Sequence, residues 1–280
     1  MTKTQVFTSV DALQNYLSEA ASQRSVGFVP TMGALHLGHI SLVREAQRKC
    51  DIVVVSIFVN PTQFNDSNDL EQYPRTLDAD VELLEKNADC VVFAPSVREM
   101  YPENHLPTKV DLGKVGEVLE GSFREGHFDG VVEVVYRLFD VVRPNSAFFG
   151  EKDFQQLVVI RKMVETLDLG IDVVGCPIYR EPSGLAASSR NQRLSNQEKG
   201  DALVLYHSLL EVKRRTHEMT PKEAKLFVEN QLEKSPLELE YIEFIDATSF
   251  ENVTEWKENT QACIAAYCGS VRLIDNMSMG

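Results

Sequence analysis

The fold class is decided by one stretch, Val26-Gly-Phe-Val-Pro-Thr-Met-Gly-Ala-Leu-His36-Leu-Gly-His39. Its first five residues form a short apolar run that ends at a proline, which predicts a β-strand. The apolar residues that follow, from Ile40 to Ala46, recur at the spacing of one helix face, so a helix comes after the strand. A strand that passes through a glycine-containing loop into a helix is the repeating unit of an α/β sheet.

The same alternation continues along the chain. The run from Asp51 to Val59 is rich in β-branched residues and hardly alternates in polarity, which is typical of a strand buried on both faces. The patterns further predict helices at 10–17, 77–86, 131–142 and 154–167, and strands at 90–93, 147–149 and 171–174. This order predicts a doubly wound parallel sheet of the Rossmann-like α/β class.

The character of the chain changes near Gly175. Pro177, Pro182, Ser183 and Gly184 punctuate a polar stretch there, which predicts a domain boundary. Beyond it, capping-box patterns at 195–198 and 220–223 predict two helix starts, and candidate strands follow at 239–245 and 262–267. We therefore predict a sheet domain over residues 1–178 and a smaller C-terminal α+β lid domain over residues 179–280.

Net charge and cysteine usage exclude several classes of protein. The chain has 28 basic and 42 acidic residues, and its net charge of −14 repels nucleic acid. Its five cysteines include no Cys-x-x-Cys pair, which indicates neither a disulfide framework nor a zinc site and favours a reducing cytoplasm. The longest apolar stretch, Ile52 to Val59, is too short to span a bilayer. We expect a cytoplasmic protein without nucleic-acid or membrane partners.

Two histidines, His36 and His39, lie where the first strand of this stretch turns into a helix. In an open parallel sheet ligands bind at this edge, and a helix N-terminus there attracts phosphate. Two imidazoles three residues apart can face one way on the first helical turn and donate to phosphate oxygens, which suits nucleotidyl transfer. The alternatives are that a histidine caps the helix or packs against a turn, or that the pair binds zinc, although no third ligand stands at a recognisable spacing.

Two later segments carry polar residues suited to phosphate. Lys152 and Asp153 follow the strand at 147–149 and face the same edge of the sheet, with an ordinary charged helix start as the alternative. Ser188, Ser189 and Arg190 lie in the boundary loop, where hydroxyls and a guanidinium suit closure on a triphosphate. An ordinary hinge of small residues is the other interpretation of that loop.

Amide and guanidinium groups suit a second, acidic substrate. Asn60 and Gln63 follow the most buried strand, and their amides are suited to a small hydroxy-carboxylate, although Asn-Pro sequences also form turns. Arg124 lies in a glycine-rich loop that is either an anion site or a plain surface loop.

Seven stretches, in order from Pro30 to Met277, carry a family resemblance: PTMGALHLGH, SIFVNPTQF, YPRTLDAD, EGSFREGHFDGVV, FFGEKDFQQL, GLAASSRN and RLIDNM. Through them the chain resembles the pantothenate synthetase (pantoate:beta-alanine ligase) family of the His-x-Gly-His nucleotidyltransferase superfamily. The resemblance implies an AMP-forming ligase of pantothenate and coenzyme A biosynthesis, which uses ATP and Mg²⁺. Pantoate and ATP would give pantoyl adenylate and pyrophosphate, and beta-alanine would then release pantothenate and AMP. It also implies a cytoplasmic homodimer formed through the N-terminal, ATP- and pantoate-binding domain.

The resemblance assigns roles to residues of this chain. The implied catalytic residues are His39, as proton donor, with His36 and Lys152 at the phosphates. The implied ATP-binding residues are Met32, Gly33, Ala34, Leu35, His36, Leu37, Gly38, His39, Gly150, Glu151, Lys152, Asp153, Tyr179 (through its backbone), Ala187, Ser188, Ser189 and Arg190. Substrate-binding residues would be Gln63 and Gln156, with Asn60 and Arg124 as further candidates.

Some positions stay open or depart from the family pattern. The metal ligands are not implied, and Asp78 and Asp80 are either candidates near the metal or solvated carboxylates on a helix. Ala34 stands where relatives often carry Asn, and Ala187 stands where Leu or Met is usual. Neither position needs its side chain for chemistry.

Two other functions use parts of the same pattern. One is an adenylyltransferase that moves AMP onto a phosphate-bearing acceptor, and the other is a non-catalytic nucleotide sensor whose second domain docks a partner. Neither explains Gln63 and Gln156 together with the other motifs. An aminoacyl-tRNA synthetase is excluded, because the chain has no room for an anticodon-binding domain and its charge has the wrong sign.

Overall fold

The computed structural model describes residues 4–64 and 67–280, which form two compact units. The N-terminal unit contains the described residues up to 112 together with Arg124–Glu151 and Gln155–Pro177. The C-terminal unit contains Gly113–Phe123, Lys152–Phe154 and Ile178–Gly280. A single boundary after residue 178 therefore leaves out two short segments that pack with the C-terminal unit. Where the chain joins the other unit for only a few residues, neither its composition nor its hydrophobic periodicity changes, so the sequence gives no sign of it.

The strands and helices are numbered in chain order. The strands are β1 Gln5–Phe7, β2 Val26–Thr31, β3 Ile52–Ile57, β4 Val91–Phe93, β5 Ser146–Gly150, β6 Asp172–Cys176, β7 Glu238–Asp246, β8 Thr260–Cys268 and β9 Val271–Ser278. The helices are α1 Val10–Ala20, α2 Leu37–Lys49, α3 Ser67–Gln72, α4 Leu77–Asn87, α5 Val97–Met100, α6 Lys114–Glu117, α7 Glu120–Phe123, α8 His127–Val142, α9 Phe154–Thr166, α10 Asn196–Asp201, α11 Leu203–Arg214 and α12 Pro221–Glu233. No helix in the described residues is both long and apolar enough to cross a bilayer.

The N-terminal unit is built on a six-stranded sheet in the order β1-β4-β3-β2-β5-β6, and every strand pair is parallel. The doubly wound parallel sheet predicted from the sequence is confirmed. Strand β3 is buried along nearly its whole length, as its unbroken apolar run predicts. Helix α8 begins four residues before the predicted start at 131, just after Gly126, whose φ of +73° turns the chain into the helix.

The order of the strands sets the place of the site. From β2 the chain adds β3 and β4 on one side, whereas β5 pairs with β2 on the other side. The direction of winding therefore reverses between β2 and β5, and in open α/β sheets the ligand crevice lies beyond the carboxyl ends of the strands at such a point. The loop that carries His36 and His39 leaves β2 at this edge.

The C-terminal unit contains the antiparallel sheet β7-β8-β9, with α11 and α12 packed against it. Both predicted capping boxes are present, at the starts of α10 and α12. Strand β9 was not predicted, because charged residues interrupt its apolar run. These are the half-buried Arg272 and the buried Asp275, which form ion pairs within this unit with Glu120 and Arg180 respectively.

Candidate active site

The loop between β2 and α2 crosses the sheet edge in a left-handed conformation. Gly33 has a φ of +80° and Ala34 a φ of +48°. The carboxylate of Asp80 accepts the N–H of Ala34 at 3.0 Å and the N–H of Leu35 at 2.7 Å, and it also accepts the hydroxyl of Thr76 at 3.2 Å. Burial raises the pKa of Asp80, while these hydrogen bonds act in the opposite direction. The amides of residues 34 and 35 are thus engaged by the protein itself.

The two histidines cap the helix that follows. His36 Nδ1 accepts the N–H of Gly38 at 3.1 Å, and His39 Nδ1 accepts the N–H of His36 at 3.2 Å. The ring centroids lie 4.1 Å apart. A backbone N–H can only donate, so both Nδ1 atoms are acceptors and each neutral ring carries its proton on Nε2. Helix capping and phosphate donation, which the sequence left as alternatives, use different nitrogens and are compatible.

Asn60 and Gln63 lie in the loop that leaves β3. Asn60 is only 1% exposed, and its amide donates to the Gly130 carbonyl at 3.1 Å and to Gln63 Oε1 at 3.3 Å. Its carbonyl oxygen accepts the Tyr101 hydroxyl at 2.9 Å, and burial raises the pKa of Tyr101 to about 12, which keeps this donor protonated. The Gln63 amide nitrogen lies 2.9 Å from Met32 Sδ, in the loop after β2. Asn60 therefore orients Gln63.

The start of α8 packs beneath Gln63. The buried His127 has its Nδ1 2.8 Å from the Gln63 carbonyl, which can only accept, so this ring carries its proton on Nδ1. Arg124 Nη2 lies 3.5 Å from the same oxygen. At Gly130 a Cβ atom would stand 2.6 Å from the Thr62 carbonyl oxygen, so only glycine fits there. The stretch predicted as a glycine-rich loop is therefore helical over most of its length, in α7 and the first turn of α8, and the start of α8 packs against the Gln63 loop.

Residues 150–156 extend from β5. Gly150 ends the strand, residues 151–153 form one 3₁₀ turn, and Gln156 lies partly buried in the first turn of α9. Lys152 and Asp153 pack with the C-terminal unit, where the Lys152 carbonyl accepts the Asn276 amide at 2.8 Å. Lys152 Nζ lies 3.8 Å from Asp153 Oδ1.

The boundary loop of the C-terminal unit is a short hairpin. The N–H of Ala187 donates to the Tyr179 carbonyl at 2.9 Å, and the Asn191 side chain donates to the Ala186 carbonyl at 3.0 Å. Ser188 Oγ accepts the N–H of Arg190 at 3.3 Å and begins a 3₁₀ turn over Ser189–Arg193. The hairpin therefore gives the segment Ser188–Arg190 a defined backbone conformation.

The predicted site residues fall into two groups. Those in the N-terminal unit are Met32 to His39, Asn60, Gln63, Arg124, Gly150, Glu151 and Gln156, on loops and helix starts that follow β2, β3 and β5 and at the start of α8. Those in the C-terminal unit are Lys152, Asp153, Tyr179, Ala187, Ser188, Ser189 and Arg190. Within the described ranges, no three His, Cys, Asp or Glu side chains cluster closely enough to hold a metal ion.

Sequence reasoning missed several residues that shape this site. Tyr101 and His127 support the Gln63 loop, and Asn276 holds the backbone of Lys152. Asp80 was noted only as a carboxylate near a metal or on a solvated face, whereas it is buried against the histidine loop. The quoted motifs YPRTLDAD, EGSFREGHFDGVV and RLIDNM contain three of these residues, Asp80, His127 and Asn276, but only the folded chain shows what they contact.

The fold and the site together define a class of protein. A parallel sheet whose switch point carries a helix N-terminus and two imidazole donors is the site of an α/β enzyme that acts on a nucleotide phosphate. The chain belongs to the pantoate-beta-alanine ligase family, whose model matches residues 5–278. Its enzymatic class is therefore that of the ligases.

Individual relatives support the assignment over the full length. The pantothenate synthetase of Porphyromonas gingivalis is 48% identical over 278 residues, which are 98% of each chain. The crystal structure of pantothenate synthetase from Thermus thermophilus is 40% identical, covers 98% of this chain and 99% of its own, and superposes with a TM-score of 0.93. Pantoate-beta-alanine ligase from Francisella tularensis, complexed with beta-gamma ATP and beta-alanine, is 35% identical with a TM-score of 0.83, covering 99% of this chain and 98% of its own.

Proposed function

We propose that this member of the family condenses D-pantoate with beta-alanine in two steps, using ATP with Mg²⁺ bound to its phosphates as substrate. The observation that carries the proposal is the pair His36 and His39, which cap α2 through Nδ1 and carry their protons on Nε2 at the switch point of the sheet. The Francisella relative, described with beta-gamma ATP and beta-alanine, supports the same substrates.

In the first step a pantoate carboxylate oxygen attacks the α-phosphorus of ATP, and the bond to pyrophosphate breaks. Negative charge grows on the phosphate oxygens during this step, and fixed donors stabilise it most when they need no reorganisation. The two Nε2–H groups and the positive end of α2 meet this requirement. His39 donates to the leaving pyrophosphate, and Lys152 adds a positive charge at the phosphates.

In the second step the beta-alanine amine attacks the carbonyl carbon of the mixed anhydride, and AMP leaves. The amine loses a proton as the amide forms. AMP is a far better leaving group than the oxide of a free carboxylate, which is why the acid is first adenylated. Exclusion of water from the anhydride prevents its hydrolysis.

Binding roles follow from the chemistry of the side chains. The amides of Gln63 and Gln156 offer both donors and acceptors, which suit the hydroxyl and carboxylate groups of pantoate. Asn60 acts through Gln63, whereas Arg124 supplies positive charge for an acidic substrate. The remaining ATP-binding assignments are the stretch Met32–His39, Gly150, Glu151, Asp153, the backbone of Tyr179, and Ala187 to Arg190 as a closing loop on the triphosphate.

We also propose a cytoplasmic homodimer. All five cysteines are free thiols, which supports a reducing compartment. The dimer is proposed from the family resemblance, and the exposed apolar residues Val6, Val97 and Leu106 on the N-terminal unit are compatible with it. Light scattering at micromolar concentration tests it, and a monomer there would contradict it.

The deciding experiment measures pyrophosphate release from ATP and Mg²⁺ with D-pantoate, first without and then with beta-alanine. We expect a stoichiometric burst with pantoate alone and steady formation of AMP and pantothenate after beta-alanine is added. If the protein binds ATP but releases no pyrophosphate with pantoate, the substrate assignment is wrong. A product that retains AMP would instead support an adenylyltransferase.

A further inference from the structure

Asp80 holds the loop that leads into the histidine pair, from a position 45 and 46 residues away in the chain. It lies in the first turn of α4 and is 3% exposed. Its Oδ2 accepts the N–H of Ala34 and its Oδ1 accepts the N–H of Leu35, so one carboxylate grips two consecutive amides. Thr76, the residue that precedes α4, donates its hydroxyl to the same carboxylate and fixes its orientation.

The loop segment 33–35 has a backbone conformation that is unfavourable without these hydrogen bonds. Ala34 has a φ of +48°, a conformation that costs free energy for any residue with a Cβ atom. Gly33, before it, also has a positive φ, and a Cβ there would stand 3.1 Å from Asp80 Oδ2. Consecutive amides that converge on one carboxylate form an anion-binding concavity, and here the anion belongs to the protein.

The next residue along the chain is His36, whose backbone N–H donates to His39 Nδ1. The position of that N–H depends on the loop that Asp80 holds. We propose that Asp80 is a positioning residue, which fixes the loop 33–35 and thereby places the Nε2–H groups of His36 and His39 for the adenylation step. This proposal rests on the function assigned above to the histidine pair.

A metal-binding role for the same carboxylate leads to different expectations. A metal ligand would present lone pairs toward the substrate, whereas both oxygens of Asp80 already accept hydrogen bonds from loop and helix donors. A positioning residue changes the rate of the first half-reaction without changing the demand for Mg²⁺. Loss of a metal ligand, by contrast, raises the Mg²⁺ concentration needed for half-maximal rate.

The first test is Asp80→Asn in the full-length protein, with Glu82→Gln as the matched control. Glu82 lies on the same helix, is 64% exposed and pairs only at the surface with Lys86. In Asp80→Asn one of the two acceptor oxygens becomes an NH₂ donor, which cannot accept the N–H of Ala34 or Leu35. One hydrogen bond to the loop is therefore lost and the loop shifts. We expect the rate of the pyrophosphate burst to fall by about 10- to 100-fold, as a displacement of about 1 Å at a catalytic group does. The KM for beta-alanine and the half-saturating Mg²⁺ concentration should stay within a factor of about two, and Glu82→Gln should match the wild type.

Two further readouts separate positioning from general damage. Nitrogen-15 NMR of labelled histidine should show that the Nδ1 signals of His36 and His39 move in Asp80→Asn and not in Glu82→Gln. Adding Ala34→Gly to Asp80→Asn should recover several-fold of the lost rate, because glycine adopts the loop conformation without the help of the carboxylate. If Asp80→Asn does not fold, Thr76→Val, which removes one hydrogen bond to Asp80, should show a smaller loss in the same step.

Three results would overturn the proposal: an unchanged burst rate in folded Asp80→Asn or Thr76→Val, recovery of the rate by excess Mg²⁺, or a slow variant whose two histidine signals have not moved. Failure of the proposed function is a separate outcome, because it would appear in the wild type as no pantoate-dependent pyrophosphate.

Discussion

Arg180 and Asp275, 95 residues apart in the chain, form a bidentate ion pair in the C-terminal unit. Nη1 and Nη2 lie 2.7 and 2.8 Å from the two carboxylate oxygens, and Asp275 is 5% exposed. The guanidinium also stacks over the Tyr206 ring at 4.4 Å. The pair therefore anchors the hairpin that leads to Ser188 and Arg190.

Asp275→Ala should destabilise the protein and loosen that hairpin. It leaves the half-buried guanidinium of Arg180 without its carboxylate, and breaking a largely buried pair in this way costs about 3 kcal/mol of unfolding free energy. Urea unfolding measures the loss, and the KM for ATP should rise in the same variant. Arg48→Ala is the control, because Arg48 forms only a surface ion pair with Glu45. This variant should change the unfolding free energy by less than about 0.5 kcal/mol. Equal stability of the two variants would show that the hairpin is not anchored by Asp275.

His39→Ala should slow adenylation far more than the capture of beta-alanine. Loss of a fixed donor to the charge that develops on the phosphates costs on the order of 10²-fold in rate. Single-turnover assays that follow pyrophosphate and then pantothenate separate the two steps. His217→Ala, at a side chain that is 74% exposed, is the matched control, and neither rate should change in it. Near wild-type adenylation in folded His39→Ala would remove this residue from the mechanism.

Gly130→Ala should disturb the Gln63 loop from below. The added methyl group would stand 2.6 Å from the Thr62 carbonyl oxygen and 2.9 Å from Gln63 Cα, so the backbone has to shift. We expect a loss of about 1–3 kcal/mol in unfolding free energy, together with a higher KM for pantoate. Gly200→Ala is the control, because nothing lies within 4 Å of its Cβ position in α10. An unchanged KM for pantoate in Gly130→Ala would show that α8 does not position the Gln63 loop for substrate binding.

Tyr101→Phe should change how stability depends on pH in the alkaline range. Burial raises the pKa of Tyr101 to about 12 in the folded protein, from 10.0 when it is unperturbed. A raised pKa means that the stabilisation is fully present below pH 10 and is lost as the pH rises from about 10 to about 12. The difference in unfolding free energy between wild type and Tyr101→Phe should therefore shrink across this window and change sign within it, because the rise in pKa from 10.0 to about 12 outweighs the contribution of one hydrogen bond. Below pH 10 it should be about 1 kcal/mol, the value of the hydrogen bond to Asn60. A constant difference from pH 8 to 12 would contradict the assignment.

Patterns in the sequence predict the parallel sheet, most of its strands and helices, and the loops that lead to the candidate site. These signals are local. The capping boxes at Ser195 and Thr220, the unbroken apolar run of β3 and the glycine-containing loop before His36 each depend on neighbours within a few residues. Periodicity and capping act over one or two turns of chain, so they are readable without a fold.

Which distant polar groups meet cannot be predicted from these patterns and depends on the folded chain. Asp80 and Ala34 are 46 residues apart, and Arg272 and Glu120 are 152 residues apart. Such pairs form because burial in a low-dielectric interior requires every charge to find a partner, and the partner is chosen by topology rather than by spacing. The proton position on His127 was decided in the same way, since its Nδ1 meets the backbone carbonyl of Gln63, 64 residues away in the chain.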